Sequence, residues 1–431
     1  MKNNLLKIVA LLMALTMVFG LAACKSGGDS KDNPDNQDSG NYAPHTKIDP
    51  STLKGSTVDV LWWQNLTEDD KKIFENFENE YGIKVNVTET TFSNYSSKLS
   101  SMIIAKEGLD LAVGSGFPYS IKQVYNPIDD FGLDLTDEFW DQNYIKSSTY
   151  NGKVYAVTST SSYWFNTCEV LYYNLDFFKN NGLKTPRDYW KENNWNWETL
   201  EKICEDIAKL KTDIVPLGYE FTSKAHLLSG TNFNHYDGEK FVSDMDDKRI
   251  IDAFSLAYKF SAKKYLDFTV SGQTSLPSGK VAMVTLNSWG MRKDSVFKNA
   301  SCTVDAVPAP SPKDNENIID ASQKWCLPKG ADNAKAAGLL LAYMLDSKNY
   351  PRTNEEIVIN PSMLDTLEYI HSSDKKFVDT SCDIGYVDTA KSTGAITYEL
   401  PRTAPGQQKT VIEKYRSASN SAIDAANRLC K

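Results

Sequence analysis

The sequence is poor in the residues that build metal centres and disulfide scaffolds. Its 431 residues include 7 cysteines and 4 histidines. The cysteines after Cys24 are scattered, none of them stand at metal-ligand spacing, and the histidines lack the H-E-x-x-H spacing of zinc proteases. We therefore expect no cofactor and no metal, while disulfide pairing stays open. The cysteines are Cys168, Cys204, Cys302, Cys326, Cys382 and Cys430, and the histidines are His45, His226, His235 and His371.

An excess of positive charge is also missing. The formal net charge is -9, and no basic stripe is present that could neutralise phosphates. This excludes a nucleic-acid partner. The 24% of charged and 41% of hydrophobic residues are typical of a soluble globular protein, and the length predicts two or three domains with large cores.

Long apolar runs are absent except at the start of the chain. Lys2 and Lys7 precede apolar residues 8–21, and the run ends in Leu21-Ala22-Ala23-Cys24. This pattern resembles the bacterial lipobox, in which the cysteine is acylated and becomes the mature N-terminus. We predict a signal peptide over 1–23 and an acylated Cys24 that anchors the protein at the outer face of the cytoplasmic membrane, the periplasmic side in a Gram-negative cell. A plain secretion signal or a short membrane helix is the alternative.

Residues 24–50 combine the acylated cysteine with a segment rich in Gly, Ser, Asp and Asn. Such a composition buries too little apolar surface to offset the entropy of ordering, so we predict a flexible tether. Its aspartates lack the glycine and the closing glutamate of a calcium loop. No other stretch reaches the roughly 20 apolar residues of a membrane-spanning helix.

The folded part begins with alternating strands and helices. Residues 57–62 alternate as a strand, Thr67 followed by Asp70 is typical of a helix N-cap, and the helical periodicity ends at Gly82 before a strand over 83–87. A strand, a helix and a strand within this distance predict a parallel βαβ unit, and the pattern repeats up to residue 113. The fold class is therefore α/β, with ligands expected beyond the carboxyl ends of the strands.

Residues 150–182 organise the first half of the chain. Asn151-Gly152 predicts a tight hairpin turn, after which residues 153–158 alternate as a strand. An aromatic loop, Tyr163-Trp164-Phe165, then leads to a second strand over 170–173 and a short helix closed by Gly182. We expect this stretch to cross between two lobes and to line the cleft between them.

Four segments in this order resemble a known family. They are NGKVYAV at 151–157, LYYNLDFF at 171–178, GLKTP at 182–186, and SGKVAM at 278–283 followed by Trp289. On these motifs the chain resembles the extracellular solute-binding proteins of carbohydrate ABC importers, the family that includes maltose-binding protein, from about Thr57 onward. It departs from the family pattern in an insertion-like RDYWKENNWN after Pro186 and in Thr158, where the family usually has proline.

The resemblance implies a two-lobe, periplasmic-binding-protein-like fold of type II with an interlobe cleft and three crossovers. Lobe 1 is expected to comprise residues 51–166 and 307–350, and lobe 2 residues 167–306 and 351–431. The crossovers are expected near 166–170, 302–308 and 345–351. We expect the protein to be a monomer that docks on ABC permease subunits.

A sugar presents hydroxyls in its ring plane and apolar C–H faces, so its site needs aromatic platforms and planar polar groups. Trp289 is the first candidate, because it follows a predicted strand and matches the ring-stacking tryptophan of the family. Trp62 and Trp63 are adjacent in one predicted strand, so their side chains are expected on opposite faces. The remaining ligand-binding candidates are Tyr163, Trp164, Phe117, Tyr119, Trp325, Asn287 and Glu220, with Asn166 and Thr167 as weaker polar candidates.

Enzymatic alternatives find little support. Two S-x-x-K matches begin at Ser261 and Ser372, but the S-D-N and K-T-G motifs that accompany such a serine in acylases are absent. A glycosidase needs only two facing carboxylates, and 56 acidic residues leave such a pair open. A peptide-binding or adhesion lipoprotein on the same scaffold is a third alternative. Our prediction is a membrane-anchored, non-enzymatic substrate-binding component of an ABC importer that captures a mono- or oligosaccharide.

Overall fold

A computed structural model describes residues 41–114, 121–380 and 395–429. The predicted signal peptide, Cys24, most of the tether, Phe117, Tyr119, Cys382 and Cys430 lie outside these residues. The described chain alternates strands and helices, as the sequence predicts. No helix in it is both long and apolar enough to cross a bilayer.

Most strands are short. In chain order they are β1 Thr57–Trp62, β2 Lys84–Glu89, β3 Ala112–Val113, β4 Tyr125–Asn126, β5 Thr149–Tyr150, β6 Lys153–Val154, β7 Glu169–Asn174, β8 Val215–Gly218, β9 Asn234–Tyr236, β10 Phe241–Ser243, β11 Leu266–Asp267, β12 Val281–Asn287, β13 Val304–Pro308, β14 Ile318–Asp320, β15 Trp325–Pro328 and β16 Lys376–Val378.

The helices range from single turns to the long C-terminal helix. In chain order they are α1 Glu68–Tyr81, α2 Tyr95–Ala105, α3 Ile121–Val124, α4 Gln142–Ser147, α5 Leu175–Asn180, α6 Pro186–Lys191, α7 Trp197–Lys209, α8 Glu220–Leu228, α9 Lys248–Ala262, α10 Gly272–Ser275, α11 Ala334–Leu345, α12 Asn354–Ile357, α13 Met363–Ser372, α14 Ala395–Glu399 and α15 Gln408–Leu429. Short 3-10 turns occur at Pro50–Leu53, Phe92–Asn94, Ile128–Phe131, Ser288–Met291, Ser347–Asn349 and Leu400–Arg402.

The first hydrophobic core surrounds the predicted βαβ unit. Strands β1 and β2 pair in parallel, and α1 connects them. Thr67 caps α1 in a capping box with Asp70, and Gly82 ends the helix in a left-handed conformation with φ 66°. A positive φ carries little steric penalty for glycine, which explains why the helix stops there. Strands β3, β15 and β4 form a second small sheet that packs into the same core.

The second core surrounds a five-stranded sheet of order β11-β8-β12-β7-β13. Strand β7 is antiparallel to both of its neighbours, β12 and β13. Its side chains alternate, with Leu171 and Tyr173 in one hydrophobic cluster and Val170 and Tyr172 in another on the opposite face. Both faces of this sheet are therefore buried, and its strands are rich in apolar residues.

A paired ribbon connects the two cores. The N–H of Trp325 donates to the carbonyl of Val157 at 3.1 Å, and the N–H of Ala321 donates to the carbonyl of Thr167 at 2.8 Å. Cys168 and Asp320 form an antiparallel bridge at its end. We call residues 157–168 together with residues 320–325 the hinge ribbon. The predicted strand over 153–158 is thus only partly a hairpin strand, and its second half belongs to this ribbon.

The predicted crossover at 302–308 is wrong. Residues Val304–Pro308 form strand β13, which pairs along its length with β7, and Val307, Ala309 and Ile319 lie in the second core. The chain returns to the first core only at residues 320–325. The predicted start of the second lobe-1 segment at 307 is displaced accordingly.

The C-terminal boundary also differs from the prediction. Ala422, Ile423 and Ala426 of α15 pack in the first core, although residues 351–431 were expected to belong to the second lobe. The amphipathic helix α15 reaches this core at its C-terminal end, while Val411 and Ile412 pack against α9 residues in a separate cluster. Helix α15 therefore packs both in the first core and in this separate cluster.

Candidate ligand-binding site

Three predicted tryptophans form one cluster at the carboxyl ends of β1 and β3. The rings of Trp62 and Trp63 stack with centroids 4.4 Å apart, and Trp325 lies 5.9 Å from Trp62 and 5.8 Å from Trp63. Phe165 of the hinge ribbon completes the cluster at 5.9 Å from Trp62. We call these four residues the tryptophan cluster.

The prediction that Trp62 and Trp63 point to opposite faces is wrong. Trp63 lies one residue beyond the end of β1, where strand alternation no longer holds, and its ring folds back on Trp62 with an angle of 24° between the ring planes. Trp62 and Trp325 have no exposed surface, and Trp63 is half-buried. In this conformation, only Trp63 of the three tryptophans presents an accessible face.

Two indole N–H groups in the tryptophan cluster are buried without a hydrogen-bond partner among the described residues. They are the Nε1 atoms of Trp62 and Trp325. Buried donors are nearly always paired, because an unpaired one loses its bonds to water on folding. Because Trp62 and Trp325 have no exposed surface, the cluster offers a ligand one accessible indole face in this conformation, that of Trp63.

Glu220, a predicted ligand residue, is already engaged inside the protein. Its Oε1 accepts from the Oγ of Ser271 at 3.0 Å, from the N–H of Gly272 at 2.9 Å and from the N–H of Gln273 at 3.4 Å. A Cβ on Gly218 would come within 2.5 Å of Oε2. The carboxylate therefore fastens the start of α10 to the start of α8.

Glu169, which sequence reasoning missed, is the contrasting carboxyl at the same edge of the sheet. It is the first residue of β7, its Cα partner is Asn287 at the carboxyl end of β12, and the residue is 3% exposed. Its Oε2 is buried and has no hydrogen-bond partner in the part of the chain that the structure describes. Burial raises the pKa of Glu169 to about 7; the charge of Lys224 opposes this rise, and the charges of Asp379 and Glu220 add to it.

Asn287 is the last residue of β12, and Trp289 follows two residues later. Trp289 is half-buried in the 3-10 turn Ser288–Met291, directly after β12. The carbonyl of Asn287 accepts from the hydroxyl of Tyr172 at 3.0 Å. Both residues stand at the carboxyl end of β12, where the sequence placed them, and their contact with a ligand stays a prediction.

Tyr163 and Trp164 lie along a different cavity, of about 270 Å³, together with Tyr350, Arg352 and Asn354. Tyr163 stacks on His371 at 4.4 Å, and the Nε1 of Trp164 donates to the Oδ1 of Asn354 at 3.1 Å. Their role toward a ligand stays a prediction. Asn166 and Thr167 are buried in the hinge ribbon, and Thr167 donates its hydroxyl to the carbonyl of Ala321 at 2.9 Å.

An ion-pair network, Asp69 with Arg292 and Arg352, joins the first core to the second. Asp69 in the first turn of α1 accepts from the Nε of Arg352 at 2.8 Å, and its Oδ2 lies 3.8 Å from the Nη2 of Arg292. Arg292 follows the 3-10 turn of Trp289 and also donates to the hydroxyl of Tyr350 at 3.2 Å. The side chain of Asp69 is 11% exposed, so solvent screens this network only partly.

The described residues contain no group of three or more His, Cys, Asp or Glu side chains that could hold a metal ion. Cys168, Cys204 and Cys302 are free thiols.

Comparison with known proteins identifies the family. The sequence pattern of the bacterial extracellular solute-binding proteins matches residues 72–359. The chain belongs to this family. The prediction that the protein is not an enzyme is thereby confirmed, because members of a solute-binding family bind their ligand without converting it.

One curated relative of the solute-binding chain is described as a carbohydrate ABC transporter substrate-binding protein and comes from Streptococcus pneumoniae serotype 4 (strain ATCC BAA-334 / TIGR4). The two are 26% identical over 260 residues, which are 57% of this chain and 47% of the relative. The chain thus matches about half the length of that relative.

Solved structures of sugar-binding proteins share the fold. An ABC substrate-binding protein from Listeria monocytogenes, in complex with cycloalternan, matches with a TM-score of 0.61 at 15% identity over 86% of this chain and 98% of its own. The GacH receptor of Streptomyces glaucescens GLA.O, solved unliganded and with acarbose, matches at 0.62 and 16% over 86% and 98%. The sugar-binding protein MalE from Xanthomonas citri matches at 0.61 and 13% over 87% and 97%. The predicted periplasmic-binding-protein-like α/β fold is confirmed.

Proposed function

We propose that this solute-binding protein is the membrane-anchored receptor of a carbohydrate ABC importer. It captures a mono- or oligosaccharide between its two cores and delivers it to permease subunits. The tryptophan cluster is the observation that carries this proposal, because the accessible indole face of Trp63, supported by the stacked ring of Trp62, matches the apolar C–H face of a sugar. The description of the streptococcal relative and the sugars bound in the structural neighbours support the same ligand class.

Binding is coupled to closure in this proposal. The tryptophan cluster belongs to the first core, whereas Trp289 and Asn287 follow a strand of the second. A ligand held from both sides stabilises only the conformation in which the two cores approach each other, so it shifts the population toward the closed state. The closed form then presents both cores to the permease.

Calorimetric titration of the purified full chain in mild detergent against a glycan panel tests the proposal. We expect at least one mono- or oligosaccharide to bind without being cleaved, and Trp289→Ala to weaken that binding by about 10-fold or more, in line with the loss of one stacked ring. Trp190→Ala is the matched control, because Trp190 is half-buried on α6 and packs on Tyr369. If peptides or amino acids bind and no glycan in the panel does, the proposal is refuted.

Anchoring is tested at Cys24. We expect a clickable palmitate analogue fed to the producing cells to label the wild-type chain and not Cys24→Ala. Equal labelling of the two proteins would reject the anchor and leave sugar binding untouched.

A further inference from the structure

The buried carboxyl of Glu169 lies at the edge of the five-stranded sheet at which β12 ends. Glu169 opens β7 opposite Asn287, at the edge of the sheet from which Trp289 also follows. Side chains of β7 alternate, so Glu169 points to the same face as Leu171 and Tyr173, the face that α8 covers. The charged groups that act on it there are Lys224 and Glu220 of α8, and Asp379 beyond β16.

Glu220 provides an internal comparison for Glu169. The two carboxyls act on each other electrostatically, and Glu220 receives three hydrogen bonds from residues 271–273, all of them at its Oε1. Glu169 is 3% exposed, and among the described residues neither its Oε2 nor the Oε2 of Glu220 has a hydrogen-bond partner. A buried carboxyl oxygen without a donor costs free energy, because its desolvation is not offset. Glu220 has a structural function through its Oε1, whereas no described residue donates to the Oε2 of either carboxyl.

Among the described residues, the charge balance around Glu169 is negative. The carboxyls of Glu169, Glu220 and Asp379 act together with one described ammonium, that of Lys224. The Nζ of Lys224 lies 3.7 Å from the Oδ2 of Asp379, so the charge of Asp379 partly offsets the attraction of Lys224 for Glu169. A neutral sugar hydroxyl would give Glu169 a hydrogen bond but no charge. A protonated amine supplies both, through charge-assisted N–H donors.

We propose that Glu169 is a specificity-determining residue that binds a basic nitrogen on the ligand, so that the preferred substrate class is an amino sugar or a glycan containing one. This inference rests on the proposed function, since it assigns the chemistry of the same site. The ammonium of the ligand takes the place that no protein donor fills at Oε2.

A proton must leave when such a ligand binds. Because burial raises the pKa of Glu169 to about 7, its carboxyl is largely protonated in the empty protein at a pH of about 6.5. The arriving ammonium keeps its own protons and favours the carboxylate, so the proton of Glu169 passes to the buffer. Binding of an amino sugar releases up to one proton, whereas binding of its neutral counterpart does not require any release.

Titration calorimetry of the full chain with matched pairs of ligands tests this inference. The probes are glucosamine and glucose, galactosamine and galactose, and the β-1,4-linked glucosamine dimer and cellobiose, each in phosphate and in MES at a pH of about 6.5. We expect the amino member of one pair to bind about 10-fold more tightly and to release a proton, which appears as a buffer-dependent binding enthalpy. Glu169→Gln should lose both effects, and Glu201→Gln, a half-buried glutamate paired with Lys259, should keep them.

The outcomes separate the two proposals. Equal binding of amino and neutral sugars, or an amine preference that survives Glu169→Gln, overturns the inference and leaves sugar binding in place. Absence of binding to every glycan overturns the proposed function itself. If Glu169→Gln does not fold, the proton release of the wild-type protein decides alone, and amine binding without release overturns the inference.

Discussion

Replacing Arg187 with methionine removes the cation from a buried ion pair of the second core. The Nε and Nη2 atoms of Arg187 donate to the two oxygens of Asp305 at 2.8 and 2.7 Å, and Nη2 also donates to the carbonyl of Ala306 at 2.7 Å. The side chains of the pair are 11% and 2% exposed. Arg187 lies at the start of the insertion-like segment, so this pair fastens that segment to strand β13.

The loss of stability expected for Arg187→Met depends on the groups that remain around Asp305. Removal of one partner of a buried ion pair typically costs about 3–5 kcal/mol, because the other charge remains buried. Asp305 keeps the hydroxyls of Tyr173 at 2.6 Å and Ser362 at 2.7 Å, which soften this cost. We therefore expect Arg187→Met to lower the free energy of unfolding by about 3 kcal/mol, the lower end of that range.

The pH dependence gives the prediction its sign. Burial raises the pKa of Asp305, but the hydrogen bonds and charge of Arg187, with the two hydroxyls, hold it below its ordinary value. The stabilisation is therefore present at neutral pH and is lost as the pH falls through the lowered pKa, below about 4. In Arg187→Met burial prevails and raises this pKa, so the ionised Asp305 destabilises the variant at neutral pH and its protonation relieves that cost. The difference between wild type and variant should shrink in acid.

Urea unfolding followed by far-UV circular dichroism, at neutral pH and near pH 4, measures this difference. Lys191→Met is the matched control on the same helix, because Lys191 lies 3.8 Å from Asp365 and both side chains are 62% exposed. Such an exposed pair contributes about 0–1 kcal/mol. A cost of Arg187→Met within the range of the control, or one that does not change with pH, would refute the reasoning.

Two further predictions follow from other contacts. Asp69→Asn removes the anion that holds Arg352 and Arg292, so we expect the affinity for the identified sugar to fall about 3- to 10-fold. We also expect the radius of gyration of the ligand-bound protein, measured by X-ray scattering, to rise. Glu75→Gln at an exposed position is the control, and an unchanged affinity and radius in Asp69→Asn would refute the role of the network. The second prediction concerns a chain in which Cys24, Cys382 and Cys430 are replaced by serine. Ellman's reagent at pH 8 should label Cys302 slowly, because burial raises its pKa to about 11, and should leave the buried Cys168 and Cys204 unlabelled. Fast labelling of Cys204 would contradict the fold.

Local signals predicted the elements that local chemistry determines. Helix α1 begins after the predicted cap Thr67 and ends at Gly82 as expected, because glycine adopts the left-handed conformation at little cost. Asn151 and Gly152 both have positive φ, at 50° and 69°, as the predicted hairpin requires. Each of these features is specified within a few residues of sequence.

The failures arise where distant segments decide. The family resemblance implied a crossover near 302–308, yet Pro308 ends β13, an edge strand, where a missing N–H costs no ladder bond. Glu169 gave no sequence signal because the groups that act on it, Lys224 and Asp379, come from parts of the chain more than fifty residues away. The orientation of the Trp63 ring was predicted wrongly because the residue lies just beyond the end of β1, where strand alternation no longer applies.

The hinge ribbon has a mechanical consequence. Two hydrogen-bonded segments lying side by side bend easily across their common face but resist sliding, because sliding breaks the bonds between Thr167 and Ala321 and between Val157 and Trp325 together. We therefore expect a movement of one core against the other to bend the hinge ribbon rather than to slide its segments. Since Trp325 is both a ribbon residue and a member of the tryptophan cluster, such bending would take place next to the proposed sugar-binding surface.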